Sequence, residues 1–383
     1  MDATGRAIFE IGFVLLLAVL GGTVARRLGL PAVLGYLAAG LVVSPFTPGY
    51  VADRGQLHLL ADIGVVLLLF EVGIEIDPIQ LGRERKRLLV AAPIQTIMTF
   101  AVTAVAVAFA GLSMKGALLV GLAVAMSSSV VVVNMTRSRR RSTDQPTELA
   151  LVGWSVIQDI TGVVIALGLL AMLGLTNRSG GVALALVLLY IALAIGIALL
   201  VPFVLRHLSD EQDLFLIVSV ATALAVAGAG SLVFGVPLAL AAFVAGLAIS
   251  ESPVTTEARQ RLLPFRDVFA VLFFVSIGAL IDPGQLVNGL GWLLLLLALL
   301  IVAKVAVSYA LARLARLASR PWQLAIGLGQ IGEFSFVLAG VGLTVGAIPG
   351  NLYEAMLSAV ALTIAGSTIL VRLGPRVAKP AVA

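Results

Sequence analysis

Residues 64–81 read GVVLLLFEVGIEIDPIQL, and residues 269–286 read FAVLFFVSIGALIDPGQL. The two stretches align without a gap at an offset of 205 residues and share Ile-Asp-Pro and Gln-Leu near their ends. Apolar sequence of low complexity can match by chance, but the shared Asp-Pro-x-Gln-Leu is hard to explain in that way. The chain is therefore predicted to contain two copies of one structural unit.

The composition predicts that both copies lie in a membrane. Apolar residues make up 60% of the 383 residues and charged residues only 12%, whereas soluble domains have roughly 45–50% apolar and about 25% charged residues. Long apolar runs recur along the whole chain, which predicts an all-α polytopic membrane protein with about 13 transmembrane helices. The predicted spans are 8–28, 31–47, 57–76, 88–110, 116–135, 147–174, 181–206, 213–233, 236–250, 262–281, 289–313, 322–346 and 352–373.

The two copies are predicted to be inverted relative to each other. The first copy falls in the third span and the second in the tenth, and this odd shift reverses the direction of the chain through the membrane. We therefore predict one transport domain over residues 1–383, with repeat one at 8–174, a linker helix at 181–206 and repeat two at 213–373. Inverted repeats with interrupted helices are typical of secondary transporters, which alternate access to a fixed site.

The distribution of positive charge predicts the orientation in the membrane. Of the 25 Lys and Arg residues, 20 lie in odd-numbered connections or the C-terminal tail, 4 in the N-terminal segment or even-numbered connections, and Lys304 within a span. The positive-inside rule then places the N-terminus outside and the C-terminus in the cytoplasm, in the cell (inner) membrane. The net charge of +5 thus indicates topology and not a nucleic-acid partner, and the clusters at 83–87 and 137–141 could also contact anionic lipids.

Gln158 and Asp159 lie in the middle of an apolar run, 149–175. An Asp at the centre of a membrane helix disfavours insertion by ~2.5–3.5 kcal/mol, so such a residue is a candidate functional site. Counting 1.5 Å per residue, Asp159 lies about 18 Å and Lys304 about 22 Å into their spans, from opposite sides. Competition of H⁺ and a cation for Asp159 would couple their movements, and Gln158 could add a carbonyl ligand. The alternative is a static Asp159–Lys304 ion pair that fixes the bundle.

Two polar stretches predict breaks in their helices. Residues 127–129 are Ser-Ser-Ser and residues 330–333 are Gln-Ile-Gly-Glu, and adding 205 to Ser127 and Ser128 gives Gly332 and Glu333. Such breaks leave backbone groups that must hydrogen-bond to side chains, bind ions or line a water-filled cavity. We therefore predict that the two breaks cross near mid-membrane. In the alternative, each serine bonds to the carbonyl four residues back in a continuous helix. The predicted cation- and proton-binding residues are Asp159, Gln158, Ser128 and Ser129, and the predicted charge-compensating or helix-break residues are Lys304, Glu333, Ser127 and Gly332.

These features resemble the monovalent cation:proton antiporter-2 family, most closely its Kef-type potassium efflux branch. The resemblance rests on the Gln158-Asp159 pair, the serine-rich break, the stretch GQIGEFSF at 329–336 and the inverted repeat. It implies a sodium/proton antiporter-like fold and a homodimer in the lipid bilayer. Spans 1–3 and 8–10 would form the dimerisation domain, and spans 4–6 and 11–13 the moving core. Gln at position 158, where sodium-selective relatives commonly have Asn or Asp, favours potassium.

The resemblance also implies a regulatory partner. Kef-type proteins usually continue into a cytosolic nucleotide-binding domain, and this chain stops at Ala383, so that domain is expected to be absent or cut away. The glycines at 327–332 spell G-x-G-x-x-G, but no strand precedes them, so we do not interpret them as a nucleotide site.

The leading prediction is a secondary antiporter that exchanges K⁺ for H⁺ at Asp159 by alternating access. The chain has no cysteine and two histidines, and no Ser/His or metal-ligand set indicates an enzyme. We therefore expect no enzymatic activity, no cofactor, and no metal beyond the transported alkali cation. The alternatives are an Na⁺/H⁺ antiporter, a ligand-gated K⁺ efflux channel, and a structural or sensor module built on the static ion pair.

Overall fold

The structure is a computed structural model, and in it all regular secondary structure of the described residues is helical. The repeated Ile76-Asp77-Pro78 and the arginine cluster at 137–141 lie outside the described residues. The described residues are 3–47, 54–75, 86–129, 131–132, 135, 143–173, 181–182, 185–186, 188–193, 196–197, 200, 212–236, 238–249 and 255–373.

The helices follow the predicted spans closely, because long apolar runs leave a membrane-spanning chain no other way to satisfy its backbone. Residues described between 181 and 200 are helical as well. The helices, numbered in chain order, are α1 (Ala3–Arg27), α2 (Ala32–Val42), α3 (Arg54–Glu75), α4 (Lys86–Phe109), α5 (Met114–Ala125), α6 (Gln145–Met172), α7 (Gln212–Leu232), α8 (Leu238–Ile249), α9 (Thr255–Leu280), α10 (Pro283–Asn288), α11 (Leu290–Leu314), α12 (Pro321–Leu328), α13 (Phe334–Thr344) and α14 (Gly350–Leu373).

Five stretches of the described chain are long and apolar enough to cross a membrane. The apolar side chains on their outer surfaces remain largely exposed, as expected where lipid and not water is the solvent. The five stretches are Ile8–Arg27, Arg87–Phe109, Gln145–Leu170, Leu290–Leu314 and Gly350–Val371.

The chain divides into two compact units. The first consists of Met1–Gly21, Gly35–Gln80 and Ala166–Leu280. Its helices pack through glycines: a Cβ on Gly64 would overlap the carbonyl of Phe269. Small residues allow membrane helices to approach this closely. Gly64 and Phe269 are also related by the repeat offset of 205, so equivalent positions of the two copies touch.

The second unit consists of Gly22–Leu34, Leu81–Ile165 and Ile281–Ala383. It holds α4, α5, α10–α14 and most of α6, which correspond to spans 4–6 and 11–13. Both predicted breaks are confirmed here, and the continuous-helix alternative is wrong. Helix α5 ends at Ala125 and helical structure resumes at Ser129, while α12 ends at Leu328 and α13 begins at Phe334.

A polar contact joins the beginning of α6 to the beginning of α12. Asp144 accepts a hydrogen bond from the backbone N–H of Thr147 at 3.0 Å and pairs with Arg320 at 3.0 Å. Partial burial raises the pKa of the Asp144 carboxyl, but the hydrogen bonds from Thr147 and the Arg320 guanidinium outweigh it and hold that pKa below its ordinary value. The contact therefore favours the ionised Asp144 at neutral pH.

Candidate functional site

The two helix breaks cross with their backbones in contact. A Cβ on Gly332 would lie 2.5 Å from the carbonyl carbon of Ser127 and 2.7 Å from the nitrogen of Ser128. The N–H of Gly332 donates to the carbonyl of Met126 at 3.0 Å. The Gln330 amide pairs with the Ser128 backbone in both directions, at 3.1 Å and 3.0 Å. Side chains and opposing backbone thus satisfy the groups that the breaks release, and the predicted crossing is confirmed.

The Lys304 ammonium donates hydrogen bonds to one backbone carbonyl at each break. It donates to the carbonyl of Val124 at 2.9 Å and to that of Gln330 at 2.7 Å, and the Lys304 side chain is fully buried. Val124 lies in the last turn of α5, where the helix dipole places partial negative charge. A π-helical turn of α11, Leu300–Val305, carries Lys304. Such turns are frequent at functional sites.

We expect the variant Lys304→Met to unfold at a clearly lower temperature than the parent protein. Met keeps the length of the side chain but leaves two buried carbonyls without a donor, at a cost of about 1–3 kcal/mol for each. Differential scanning fluorimetry in detergent measures the loss, and Lys115→Met, at an exposed position of α5, is the control. Equal melting temperatures for the two variants would show that the Lys304 ammonium does not hold the crossing together.

Asp159 is buried close to the crossing without a hydrogen-bond partner. Its side chain is 1% exposed, and no donor in the described part of the chain bonds to either carboxylate oxygen. Glu333, Lys304 and the Ser129 hydroxyl lie close enough to change the electrostatic environment of this carboxylate. None of them forms a hydrogen bond with it. Because Lys304 bonds to carbonyls and not to Asp159, the static ion pair is not formed in this structure.

Gln158 fixes the first break. Its Oε1 accepts from the backbone N–H of Ser127 at 2.9 Å, and its Nε2 donates to Oε1 of Gln95 at 2.6 Å. The Ser127 hydroxyl donates to the carbonyl of Leu328 at 2.8 Å, which joins this break to the end of α12. The orientation of Gln158, directly before Asp159, is thus set by the break.

Ser128 and Glu333 begin the second halves of the broken helices. The Ser128 hydroxyl accepts from the N–H of Val131 at 3.2 Å, a cap of the type expected at a helix N-terminus. Glu333 lies directly before α13 and is 5% exposed, and its Oε1 has no hydrogen-bond partner in the described chain. A carboxylate at a helix N-terminus is stabilised by the positive end of the dipole. All eight predicted site residues therefore lie in the second unit, around one crossing.

Gln95 extends this network to the helix that carries Lys304. Its Oε1 accepts from the Trp154 indole at 3.1 Å as well as from Gln158, and its Nε2 donates to the Thr99 hydroxyl at 2.9 Å. The Thr99 hydroxyl in turn donates to the carbonyl of Ala303 at 2.6 Å, within the π-helical turn. The hydrogen bonds thus connect the break at Ser127 to the turn that positions the lysine.

A model of the family described as "Sodium/hydrogen exchanger, transmembrane" matches residues 14–373. The chain belongs to this family. The exchanger is 32% identical over 377 residues to YbaL of Escherichia coli (strain K12), which carries the provisional name of a cation/proton antiporter. The match covers 94% of this chain and 67% of YbaL. As a member of this family, the protein is a multi-pass membrane cation/proton antiporter and not an enzyme. It carries the transported ions and uses no cofactor.

The fold of the exchanger is also that of a solved antiporter. The sodium proton antiporter MjNhaP1 from Methanocaldococcus jannaschii, determined at pH 8, superposes with a TM-score of 0.71. The superposition covers 97% of this chain and 99% of that one, at 18% sequence identity. The predicted sodium/proton antiporter-like fold is therefore confirmed.

Sequence reasoning missed four polar residues of this exchanger: Gln95, Thr99, Trp154 and Thr363. The repeat offset of 205 could have found two of them. Subtracting it from Lys304 gives Thr99, and adding it to Gln158 gives Thr363. The Thr363 hydroxyl accepts from the N–H of Ile331 at 3.1 Å, as Gln158 does from the N–H of Ser127.

Proposed function

We propose that this exchanger moves a monovalent cation, preferentially K⁺, against H⁺ by alternate occupation of the Asp159 carboxylate. The observation that carries the proposal is that this buried carboxylate has no hydrogen-bond donor among the described residues. A buried charge without a partner is costly, so a proton or a cation that neutralises it is bound favourably. The two cannot occupy the carboxylate together, and this exclusion couples their movements.

The residues that we propose as further cation ligands offer oxygen atoms to a cation that has shed part of its water. The hydroxyls of Ser128 and Ser129 and the amide oxygen of Gln158 are uncharged oxygens of the kind that alkali and alkaline-earth cations accept as ligands. The Ser129 hydroxyl has no hydrogen-bond partner in the described chain, and the bond from the Ser127 N–H uses one of the two lone pairs of the Gln158 oxygen. We assign Lys304 and Glu333 to the charge balance of the helix ends.

The preference for K⁺ follows from the resemblance to the Kef-type branch at Gln158 and Asp159. The name of YbaL specifies a cation without saying which. An Na⁺/H⁺ antiporter and a K⁺ channel of the same fold are the alternatives, and they differ in the cation preferred and in proton counterflow.

We further propose that the chain acts as one transport domain in a homodimer of the inner membrane, with its N-terminus outside and its C-terminus in the cytoplasm. The excess of Lys and Arg in alternate connections supports this orientation. The first unit would form the dimer contact. The second unit, which contains the crossing and Asp159, would alternate access to the site.

Proteoliposomes with a trapped pH-sensitive dye test the cation preference. A jump in external K⁺ should drive protons out of the lumen, at a lower half-saturating concentration than Na⁺, while choline chloride of equal osmolarity should have no effect. A stronger response to Na⁺ would make the protein an Na⁺/H⁺ antiporter. Cation flux without proton counterflow would show a channel.

A further inference from the structure

A groove in the second unit lies between the beginning of α4 and the end of α11. Its volume is about 470 Å³, within the range of about 300–1,000 Å³ that is common for ligand sites. Its walls are apolar, and the described residues that line it include two arginines and no acidic side chain. The lining side chains include the apolar Val90, Ile94, Leu311 and Leu314 and the basic Arg87 and Arg316.

The apolar walls of the groove face outward. Val90 is 60% and Leu314 is 78% exposed. On a helix that crosses a membrane, such side chains contact lipid hydrocarbon, so the groove opens towards acyl chains and not towards water.

The two arginines place positive charge together at one end of the groove. The Arg87 guanidinium donates to the backbone carbonyls of Ala315 at 3.2 Å and Arg316 at 3.0 Å, which holds it against the end of α11. The Arg316 side chain is exposed and has no anionic partner in the described chain.

Two neighbouring arginines, unlike Arg316, have partners within the described chain. Arg320 pairs with Asp144 at 3.0 Å. The Arg313 guanidinium lies 6.0 Å from the centroid of the Tyr309 ring, a distance typical of a cation–π contact. Among the described residues Arg316 has neither kind of partner, and its charge adds to that of Arg87 at the mouth of an apolar groove.

We propose that this groove binds one anionic phospholipid of the bilayer. Its phosphate would contact Arg87 and Arg316, and an acyl chain would lie along Val90, Ile94 and Leu314. Arginine matches phosphate in geometry and charge, and basic residues next to membrane helices select anionic head groups. The apolar wall distinguishes a lipid from a free phosphate ion. The site is separate from Asp159 and does not depend on the proposed ion exchange.

Lipid titration of the delipidated full chain in detergent tests this proposal. Phosphatidylglycerol and phosphatidylcholine with the same acyl chains are added, and bound lipid is counted by native mass spectrometry. We expect preferential retention of phosphatidylglycerol and an affinity about fivefold lower in Arg316→Gln, since one arginine near a membrane surface contributes about that factor. Arg313→Gln makes the same charge change in the last turn of α11, three residues before Arg316 and outside the residues that line the groove, and should bind as the parent does.

Two further arms decide between a lipid and other anions. Val90→Trp fills the apolar wall while both arginines are kept, and it should also weaken phosphatidylglycerol binding. Soluble glycerol phosphate should not displace the lipid, and its doing so would overturn the proposal in favour of a simple anion site. Equal binding of both lipids, or equal behaviour of the two arginine variants, would also overturn it.

Arg316 has a φ of 48°, a conformation that suits glycine, so Arg316→Gly is a second variant that removes the charge without backbone strain.

Discussion

The variant Asp159→Asn is expected to lose cation-driven proton movement almost completely. Asn has the same shape, but it neither binds a proton near neutral pH nor carries a charge that attracts a cation. At about 4 Å and an effective dielectric constant of about 20, the lost attraction amounts to about 4 kcal/mol. That corresponds to a loss on the order of a thousandfold in cation affinity. The measurement is dye-reported proton flux in proteoliposomes after a K⁺ jump.

The same variant should fold at least as well as the parent protein. The Asp159 carboxylate is buried and without a hydrogen-bond donor in the described chain, so its neutral replacement removes a cost of burial. The melting temperature should therefore stay equal or rise while exchange is lost, a combination typical of functional residues. Asp144→Asn, at a partly exposed carboxylate of the same unit, is the control and should retain exchange. Normal proton flux in Asp159→Asn would remove Asp159 from the mechanism.

The sequence predicted the helices and the breaks because both depend on residue type alone. A run such as 149–175 has to be helical in a membrane, whatever lies beside it. The small and polar residues at 127–129 and 330–333 likewise disfavour a continuous helix in hydrocarbon. The repeat offset then related the two breaks to each other, and the structure brings Ser127 and Gly332 into contact.

The hydrogen-bond partners were not predictable in this way. Lys304 was predicted to compensate the ends of the broken helices, with a pair to Asp159 as the alternative, but the sequence did not indicate which carbonyls its ammonium contacts, namely those of Val124 and Gln330. Which carbonyls Lys304 contacts depends on where two half-helices end relative to the π-helical turn. The hydropathy of the sequence does not predict these positions. Gln95 and Thr99 were missed for a related reason, because an uncharged polar residue in an apolar run gains a role only through the neighbours to which it hydrogen-bonds.

The pairs of residues that touch across the repeats have a common geometric origin. Gly64 contacts Phe269 in the first unit, and Ser127 contacts Gly332 in the second. The members of each pair are separated by 205 residues. Equivalent positions of a duplicated structure meet only near the pseudo-two-fold axis that relates the copies. The crossing therefore lies where backbone meets backbone, and at least one residue there has to lack a side chain.

Gly332→Ala should consequently damage the exchanger more than its small change in volume suggests. The added Cβ would lie 2.5–2.7 Å from backbone atoms of Ser127 and Ser128, which have no rotamer to change. The two breaks would have to separate, and the bond from Gly332 to the Met126 carbonyl and the Gln330–Ser128 pair would be lost or stretched. Overpacking of this kind costs about 1–3 kcal/mol. We expect a lower melting temperature together with strongly reduced proton flux.

Gly340→Ala is the matched control, because the same methyl group has the opposite effect there. Gly340 lies inside α13, and a Cβ on it would have no atom within 4 Å. Replacing a glycine by alanine inside a helix stabilises it by about 0.5–1 kcal/mol. The two variants should therefore move the melting temperature in opposite directions, and only Gly332→Ala should lose exchange. Equal melting temperatures, or full exchange in Gly332→Ala, would show that the backbones do not cross in contact and that the site does not require this geometry.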